Sequence, residues 1–429
     1  MIGNDIHNFA KQLWKINRSI TGEGVRETLD RIRCHLPSLK VNSVATGTKV
    51  FDWVVPREWY VNEAYIITPN GEKICNFNEN NLHLLGYSVP FEGELDYYEL
   101  KKYLHTLPEQ PNAIPYITSY YKERWGFCLS QNQFNNLKNG KYYIKIDTRL
   151  FDGVLNYGEL IIKGKSTKEV FISTYICHPT MANNEISGPT VVTYLAKWLL
   201  ELKQLDYTYR IIFIPETIGS ITYLSIHHNH LKENVFAGFN VSCIGDDRAY
   251  SYLPSRNGNT LSDYIAKHVL KNTDPNYKSY TWFDRGSDER QYCAPGIDLP
   301  IASIMRTKYG QYPEYHTSLD DLVNVVTPEG LDGGYWALRK AIETIERSKK
   351  YRVTVICEPQ MSKRGLYPTL STKNSGEKVS LMMDLISLCD GNKSLLDIAE
   401  VLGVPVWDLY DLTDTLVSHK ILKIHDYEI

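Results

Sequence analysis

The sequence predicts an α/β protein: a largely parallel β-sheet with helices on both faces, interrupted by a mostly β insertion and closed by a winged-helix tail. Three observations carry this. Near-continuous apolar strands alternate with helical segments over residues 155–355, the pattern of a sheet buried on both faces. Residues 46–154 instead show short alternating segments rich in Tyr, Asn and Pro. Residues 370–429 read as three short helices and a strand, the order of a winged helix.

From the N-terminus, Ile6, Phe9, Leu13 and Ile16 make one apolar stripe, so the first segment is an amphipathic helix rather than the apolar core of a secretory leader. "TGEGVRETLDRI" turns into a second such helix, and residues 1–45 are expected to be helical and to join 155–355 in one α/β domain. In the insertion, "EWYVNEAYIITPNGEKI" holds two strands about a "PNG" turn. "GELIIKG", "EVFISTYICH", "YRIIFIPE" and "VFAGFNVSCIGDD" are strands, with "GPTVVTYLAKWLLELK" and "GSITYLSIHHNHL" as helices between them. A Pro- and Ser-containing linker, "CEPQMSKRGLYPTLST", precedes the tail, where helix 405–420 takes the recognition-helix place.

At 429 residues the chain exceeds one ordinary core, so two or three domains are expected. An apolar fraction of 43% and a net charge of −3 describe a common globular composition, with no bulk basicity for nucleic acid. No apolar run reaches the ~20 residues needed to cross a bilayer, so no membrane partner is expected. The eight cysteines stand singly with no C-x-x-C pair, which argues against a disulfide framework and suits a cytoplasmic setting. Cys177 and Cys243, at the ends of apolar strands, read as small buried hydrophobes. Over residues 378–429 four Lys face nine Asp or Glu, and Asp408, Asp411 and Asp414 lie on the would-be recognition helix. Phosphate contact needs Lys or Arg there, so a protein-docking or dimerisation module within a homo-oligomer is expected rather than a DNA-binding regulator.

Ligands of such sheets sit at the carboxyl ends of strands. His178, Glu216 and Asp246 fall at successive strand ends, His316 follows in "EYHTSLDD", and "RGSDERQY" adds Asp288 and Glu289. Histidines and carboxylates converging from several strand ends are what a metal centre requires. Plainer readings stand beside this one. A lone histidine is often a hydrogen-bonded structural residue, and a strand-end Asp often caps the next helix. Asp246–Asp247 before Arg248 can be a salt-bridged turn, Asp288 and Glu289 a solvated loop with Arg285 and Arg290, and the His227–His230 run a surface helix end.

The order His … carboxylate-x-Ser-Gly … Glu-x-x-Gly … Asp … His-Thr-x-x-Asp resembles the zinc aminopeptidase and glutaminyl cyclase clan over roughly residues 1–45 and 155–350, "YHTSLDD" being the most specific element. "ICHPTMANNEISGP", "IPETIGSI", "GSDERQYC" and "YPEYHTSLD" resemble, over nearly the whole chain, bacterial proteins labelled aminopeptidase-like and met in settings linked to surface polysaccharide synthesis. The resemblance implies a three-layer αβα, phosphorylase-like domain and a zinc-dependent hydrolase of a peptide or aminoacyl amide. It implies His178 and Asp246 on one zinc, His316 on a second, and Glu216 as the general base. Three carboxylates of the pattern are replaced: Thr217 stands for the second zinc's ligand, Asn184 for the bridging Asp, and Thr180 for the Asp that orients the first imidazole. A neutral bridge offsets poorly the repulsion of two dications ~3.5–4 Å apart. One zinc is therefore expected, on His178, Asp246 and His316, with Glu185 as the local substitute beside Asn184. Asp288, Glu289 and Glu314 are candidates to hold a substrate amine. A degenerate member that binds such a ligand without turnover is the alternative.

Overall fold

The computed structural model describes residues 1–366 and 373–425 and resolves two compact units. The first comprises Met1–Asp263 and Asn276–Trp336; the second comprises Tyr264–Pro275 and Ala337 onward.

An eight-stranded sheet organises the first unit. Its centre is parallel: Glu169–Tyr175 pairs with Thr208–Ile214 on one side and Val235–Asn240 on the other, and Ile301–Met305 follows. Every residue of Glu169–Tyr175 and Thr208–Ile214 is buried, which is why both read as near-continuous apolar runs. The flanks are antiparallel, with Val154–Ile162 and then Lys40–Ala45 on one edge. Residues 1–45 are thus not all helical: after helices Ile2–Leu13 and Glu23–His35 the segment ends in an edge strand.

The strand expected to run to Asp246 stops at Asn240. Cys243 turns the chain with φ 48°, and Gly245 and Asp246 follow in a loop. Helix Ser187–Glu201 begins directly on a single π turn, Ala182–Ile186, that carries Asn184 and Glu185. Gly188 is required where it stands: a Cβ there would lie 2.5 Å from Thr174 Oγ1 and 2.7 Å from the Val241 carbonyl oxygen. The helix start is thereby pressed onto the strand ends.

The insertion forms a four-stranded antiparallel sheet centred on Glu58–Ile67 and Lys141–Phe151. Gly71, at φ 83°, closes the "PNG" hairpin between Glu58–Ile67 and Lys73–Ile74. Its Trp59, Ile66, Tyr142 and Ile144 share one buried apolar cluster with Phe171, Tyr175 and Ile212 of the parallel strands. The insertion is therefore continuous with the main core.

In the second unit helices Lys373–Leu388, Leu395–Leu402 and Tyr410–Ser418 accompany an antiparallel sheet of Asp390–Ser394, Lys350–Val353 and Leu422–Ile424. The sequence showed one of these strands; the other two are too short and polar to stand out. Gly403, left-handed at φ 68°, ends the first helix of the helix-turn-helix. Asp408, Asp411 and Asp414 are exposed, Asp414 pairing with Arg347 at 2.6 Å. Residues 367–372 of the expected linker and the last four residues lie outside the described residues.

Candidate active site

His178 follows the Glu169–Tyr175 strand in a loop whose backbone is held from outside. The buried Arg18 donates through Nε to the His178 carbonyl oxygen (3.0 Å) and through Nη1 to Leu13 (2.8 Å). Arg18 Nε also lies 3.3 Å from Glu185 Oε1, both side chains being almost wholly inaccessible. Glu185 Oε2 in turn accepts from His178 Nδ1 at 2.9 Å. A π turn shifts side-chain register relative to an α-helix. Here it carries Glu185, not Asn184, to the imidazole. Asn184 Oδ1 instead accepts from Tyr175 (3.0 Å), and its Nδ2 is buried without a hydrogen-bond partner.

With Nδ1 engaged, His178 turns Nε2 toward Glu216, whose Oε2 is 3.8 Å away. The His316 ring lies 5.7 Å from the His178 ring, and Tyr116 sets its edge against both, 5.4 and 5.3 Å away. Tyr315 stacks on His316 at 3.9 Å. Burial, reinforced by His178, drives the His316 pKa down to about 3, so this imidazole is neutral. Burial works against the charge on His178, but the Glu185 hydrogen bond and the Glu185 and Glu216 charges outweigh it and raise its pKa. Burial likewise raises the Glu216 carboxyl, against the pull of His178. Glu216 keeps 21% of its side chain exposed where His178 keeps 6%, so Glu216 forms the solvent-facing edge of the pair.

The turn that presents Glu216 is strained. Thr217 adopts φ 63°, ψ −79°, a region that β-branched residues avoid. It is held by its neighbours: its N–H donates to Asp288 Oδ1 (2.7 Å), its hydroxyl accepts from Arg290 (3.0 Å), and Ser220 donates to its carbonyl oxygen (2.9 Å). His316 too has a positive φ, 57°.

Four of the candidate residues are engaged by other groups. Asp246 is not offered to His178. Its two oxygens accept from Thr307 N–H and hydroxyl, the Arg248 N–H and the Asn183 amide, which fills the four acceptor positions of a carboxylate. Glu289 is spent in the same way, on Gly286 N–H, Ser287 N–H, Tyr309 and Asn240. Glu314 grips Arg248 through both oxygens at 2.8 and 2.9 Å. Neither Glu289 nor Glu314 is left to hold an amine. Asp288 is committed through one oxygen to Thr217 and Ser220, while Oδ2 is buried and unpaired; burial and the Glu216 charge push its pKa up to about 8.

Several residues of the site carry no sequence signal of their own. Arg18 lies beyond the end of helix Ile2–Leu13, and nothing in "KINRSI" marks it for burial. Asn183, beside the highlighted Asn184, is the residue that reaches the Asp246 loop. Asp320 accepts from the Asn183 and Asn184 N–H groups (2.7 and 3.0 Å) and from Tyr312, propping the π turn. Its place in "YHTSLDD" was the available clue. Among the described residues the metal-capable atoms gathered within 4.8 Å of one another are those of Cys177, His178 and Glu185. The His227–His230 run lies elsewhere, His230 bonding Glu169 in a network with Arg210.

Residues 7–348 match the model of a domain of unknown function, DUF4910, and residues 349–424 match a winged helix-turn-helix. The chain belongs to the DUF4910 family. A Clostridium acetobutylicum protein, named for polysaccharide biosynthesis and an aminopeptidase-like domain, is 43% identical over 424 residues, covering 98% of this chain and 96% of that one. A C. acetobutylicum crystal structure described as a peptidase superposes with a TM-score of 0.92 at 42% identity, covering 99% of this chain and 97% of that one. The zinc aminopeptidase of Bacillus subtilis superposes with a TM-score of 0.55 at 14% identity, over 80% of this chain and 94% of that one. A Shewanella amazonensis M28 peptidase precursor gives 0.56 at 13% identity, over 82% and 94%. At that identity the likeness is one of fold. This DUF4910 protein is thus an aminopeptidase-like α/β domain with a C-terminal winged helix.

Proposed function

We propose that this protein is a one-zinc hydrolase of the aminopeptidase type, cleaving a peptide or aminoacyl amide, with Glu216 as the general base. The observation that supports it is the arrangement at His178: Glu185 fixes Nδ1, Nε2 lies 3.8 Å from Glu216 Oε2, and the His316 ring is 5.7 Å from the His178 ring. A metal-binding imidazole is commonly oriented by a carboxylate on its other nitrogen, and Glu185 stands in that place. His178 and His316 are the residues that would hold zinc, which when bound supplies Lewis acidity and a more acidic water. Glu216 takes the proton of the attacking water and returns it to the leaving amine. Thr217 and Asn184 offer no charge to balance a second dication, so one ion is assigned rather than two. The relative's name motivates a link to polysaccharide metabolism. We assign the protein to the cytoplasm and its acidic tail to protein docking or self-association.

Arg18 supports a second reading. A fixed cation already neutralises Glu185 inside the site, as in a member that binds an aminoacyl ligand without turnover. Metal analysis of the purified protein separates the two. Near-stoichiometric zinc, with Glu216→Gln retaining the metal and losing turnover of aminoacyl p-nitroanilides, is expected of the hydrolase. Less than roughly a third of an equivalent, not restored by dialysis against zinc, would sink it.

A further inference from the structure

We propose that a cleft beside the two histidine loops is a saccharide subsite, so that the amide group hydrolysed is carried on a sugar. This rests on the hydrolase reading above and adds the class of its substrate. The cleft, about 220 Å³, is lined by Trp14, Asn17, Phe77, Asn78, Glu79 and Asn80. Thr180 and Ser318, each two residues past a candidate histidine, complete the wall. Both loops are tied to the insertion at this point: Thr180 N–H donates to Asn81 Oδ1 (3.1 Å), and Ile114 N–H donates to Ser318 Oγ (3.0 Å).

The lining combines two half-buried aromatic rings with side-chain amides and one carboxylate. A pyranose presents the matching surface: an apolar C–H face for Trp14 or Phe77, and a rim of hydroxyls that need donors and acceptors together. The Asn17 and Asn78 side chains offer both, and Glu79 adds an acceptor through Oε2, its Oε1 being held by Asn76. Lys15, also in the lining, balances Glu79, so the cleft carries no net charge for a phosphate-rich ligand.

Asn17 and Asn81 also border a crevice of about 10 Å³, room for no more than a water, bounded by Arg18, Tyr116, Thr118 and Tyr120. Arg18 Nη2 and Thr118 Oγ1 are buried there without hydrogen-bond partners. Tyr116 is the residue whose ring touches both histidines. A sugar in the outer cleft would therefore sit next to the wall of the reacting centre, with unpaired polar atoms between.

Saturation-transfer NMR on the full chain tests this, with methyl N-acetyl-β-glucosaminide as probe and alanyl-alanine beside it. Transfer to the glycoside is expected. Trp14→Ala should weaken it about tenfold, the worth of one stacking contact. Asn78→Ala, at an exposed position, should weaken it about threefold, the worth of one hydrogen bond. Glu216→Gln should leave it unchanged. No transfer to the glycoside, equal transfer in both cleft variants, or transfer to alanyl-alanine alone would overturn the subsite. Turnover of an aminoacyl p-nitroanilide without glycoside binding removes the subsite and spares the hydrolase. Glycoside binding without zinc or turnover does the reverse.

Discussion

Two buried histidines, one in each compact unit, bond a glutamate through Nδ1, yet only one keeps a nitrogen for chemistry. His268, in the second unit, bonds Glu400 through Nδ1, while Nε2 accepts from the Val406 N–H at 2.9 Å. Lys271 also holds Glu400, at 2.6 Å. Both ring nitrogens are spent, and the residue is a bolt between helix Leu261–Thr273 and the turn ahead of Tyr410–Ser418. His178 has the same carboxylate contact, but its Nε2 meets Glu216 at 3.8 Å rather than a backbone donor. A His–Glu pair is therefore no sign of a site by itself. What distinguishes the two is the unspent nitrogen and the second carboxylate in front of it. The carboxylates obey the same rule: Asp246 and Glu289 are saturated by donors, whereas Glu216 is not.

The largest test of this contrast lies at Glu185, which the comparison makes a positioning residue. Replacing it with Gln leaves the Arg18 guanidinium buried beside a neutral group. Loss of one partner of a buried ion pair costs about 3–5 kcal/mol, and urea denaturation should show a loss of that size. The double variant Arg18→Met, Glu185→Gln should recover much of it, because the stranded charge is gone. A single variant as stable as the parent would mean that Arg18 and Glu185 do not hold the His178 loop.

His268 supplies the intermediate effect, and its sign follows from its pKa. Burial lowers it, more than the Glu400 hydrogen bond and charge raise it. Between the folded value and the unfolded value of about 6.5, the unfolded chain binds more protons, so stability rises with pH. The contribution is complete above pH ~6.5 and is lost as pH falls below it. Protection factors in helix Leu395–Leu402, exchange rates referred to the intrinsic rate at each pH, should fall from pH 7 to pH 5. His268→Gln should lower protection by about 1–3 kcal/mol and abolish the pH dependence. Protection that is flat across this range in the parent would break the assignment.

How far these distinctions could be read from sequence depended on what the backbone does after each strand. His178 and Glu216 were legible because parallel strands end in step, and the chain beyond them is short. Asp246 was not legible as a loop residue because its strand stops at Asn240, six residues short of it and ahead of a left-handed Cys243, and nothing in "NVSCIGDD" marks the stop. Glu185 was recognised as a substitute, but its target, the imidazole Nδ1, follows from the π turn and could not be counted along an α-helix. The strain at Thr217 and the unpaired Asp288 oxygen are likewise products of tertiary packing. The winged helix was legible from its three amphipathic helices and Gly403, while its short polar strands were not.

The smallest expected effect lies on the exposed face of the tail, and it marks the lower limit of the comparison. Asp414 and Arg347 approach to 2.6 Å, as close as many buried pairs, but their side chains are 61% and 38% exposed. Water and salt screen such a pair, and ordering two mobile side chains offsets much of the attraction. Asp414→Asn should therefore change the stability of the second unit by no more than about 0.5 kcal/mol, measured by urea denaturation at 0.1 M salt and again at 1 M. A loss approaching that at His268 would place Asp414 among the structural bolts and remove it from the surface offered to a partner. A negligible loss leaves Asp408, Asp411 and Asp414 together as an acidic, unburdened helix face, which phosphate backbones repel and a basic protein surface would complement.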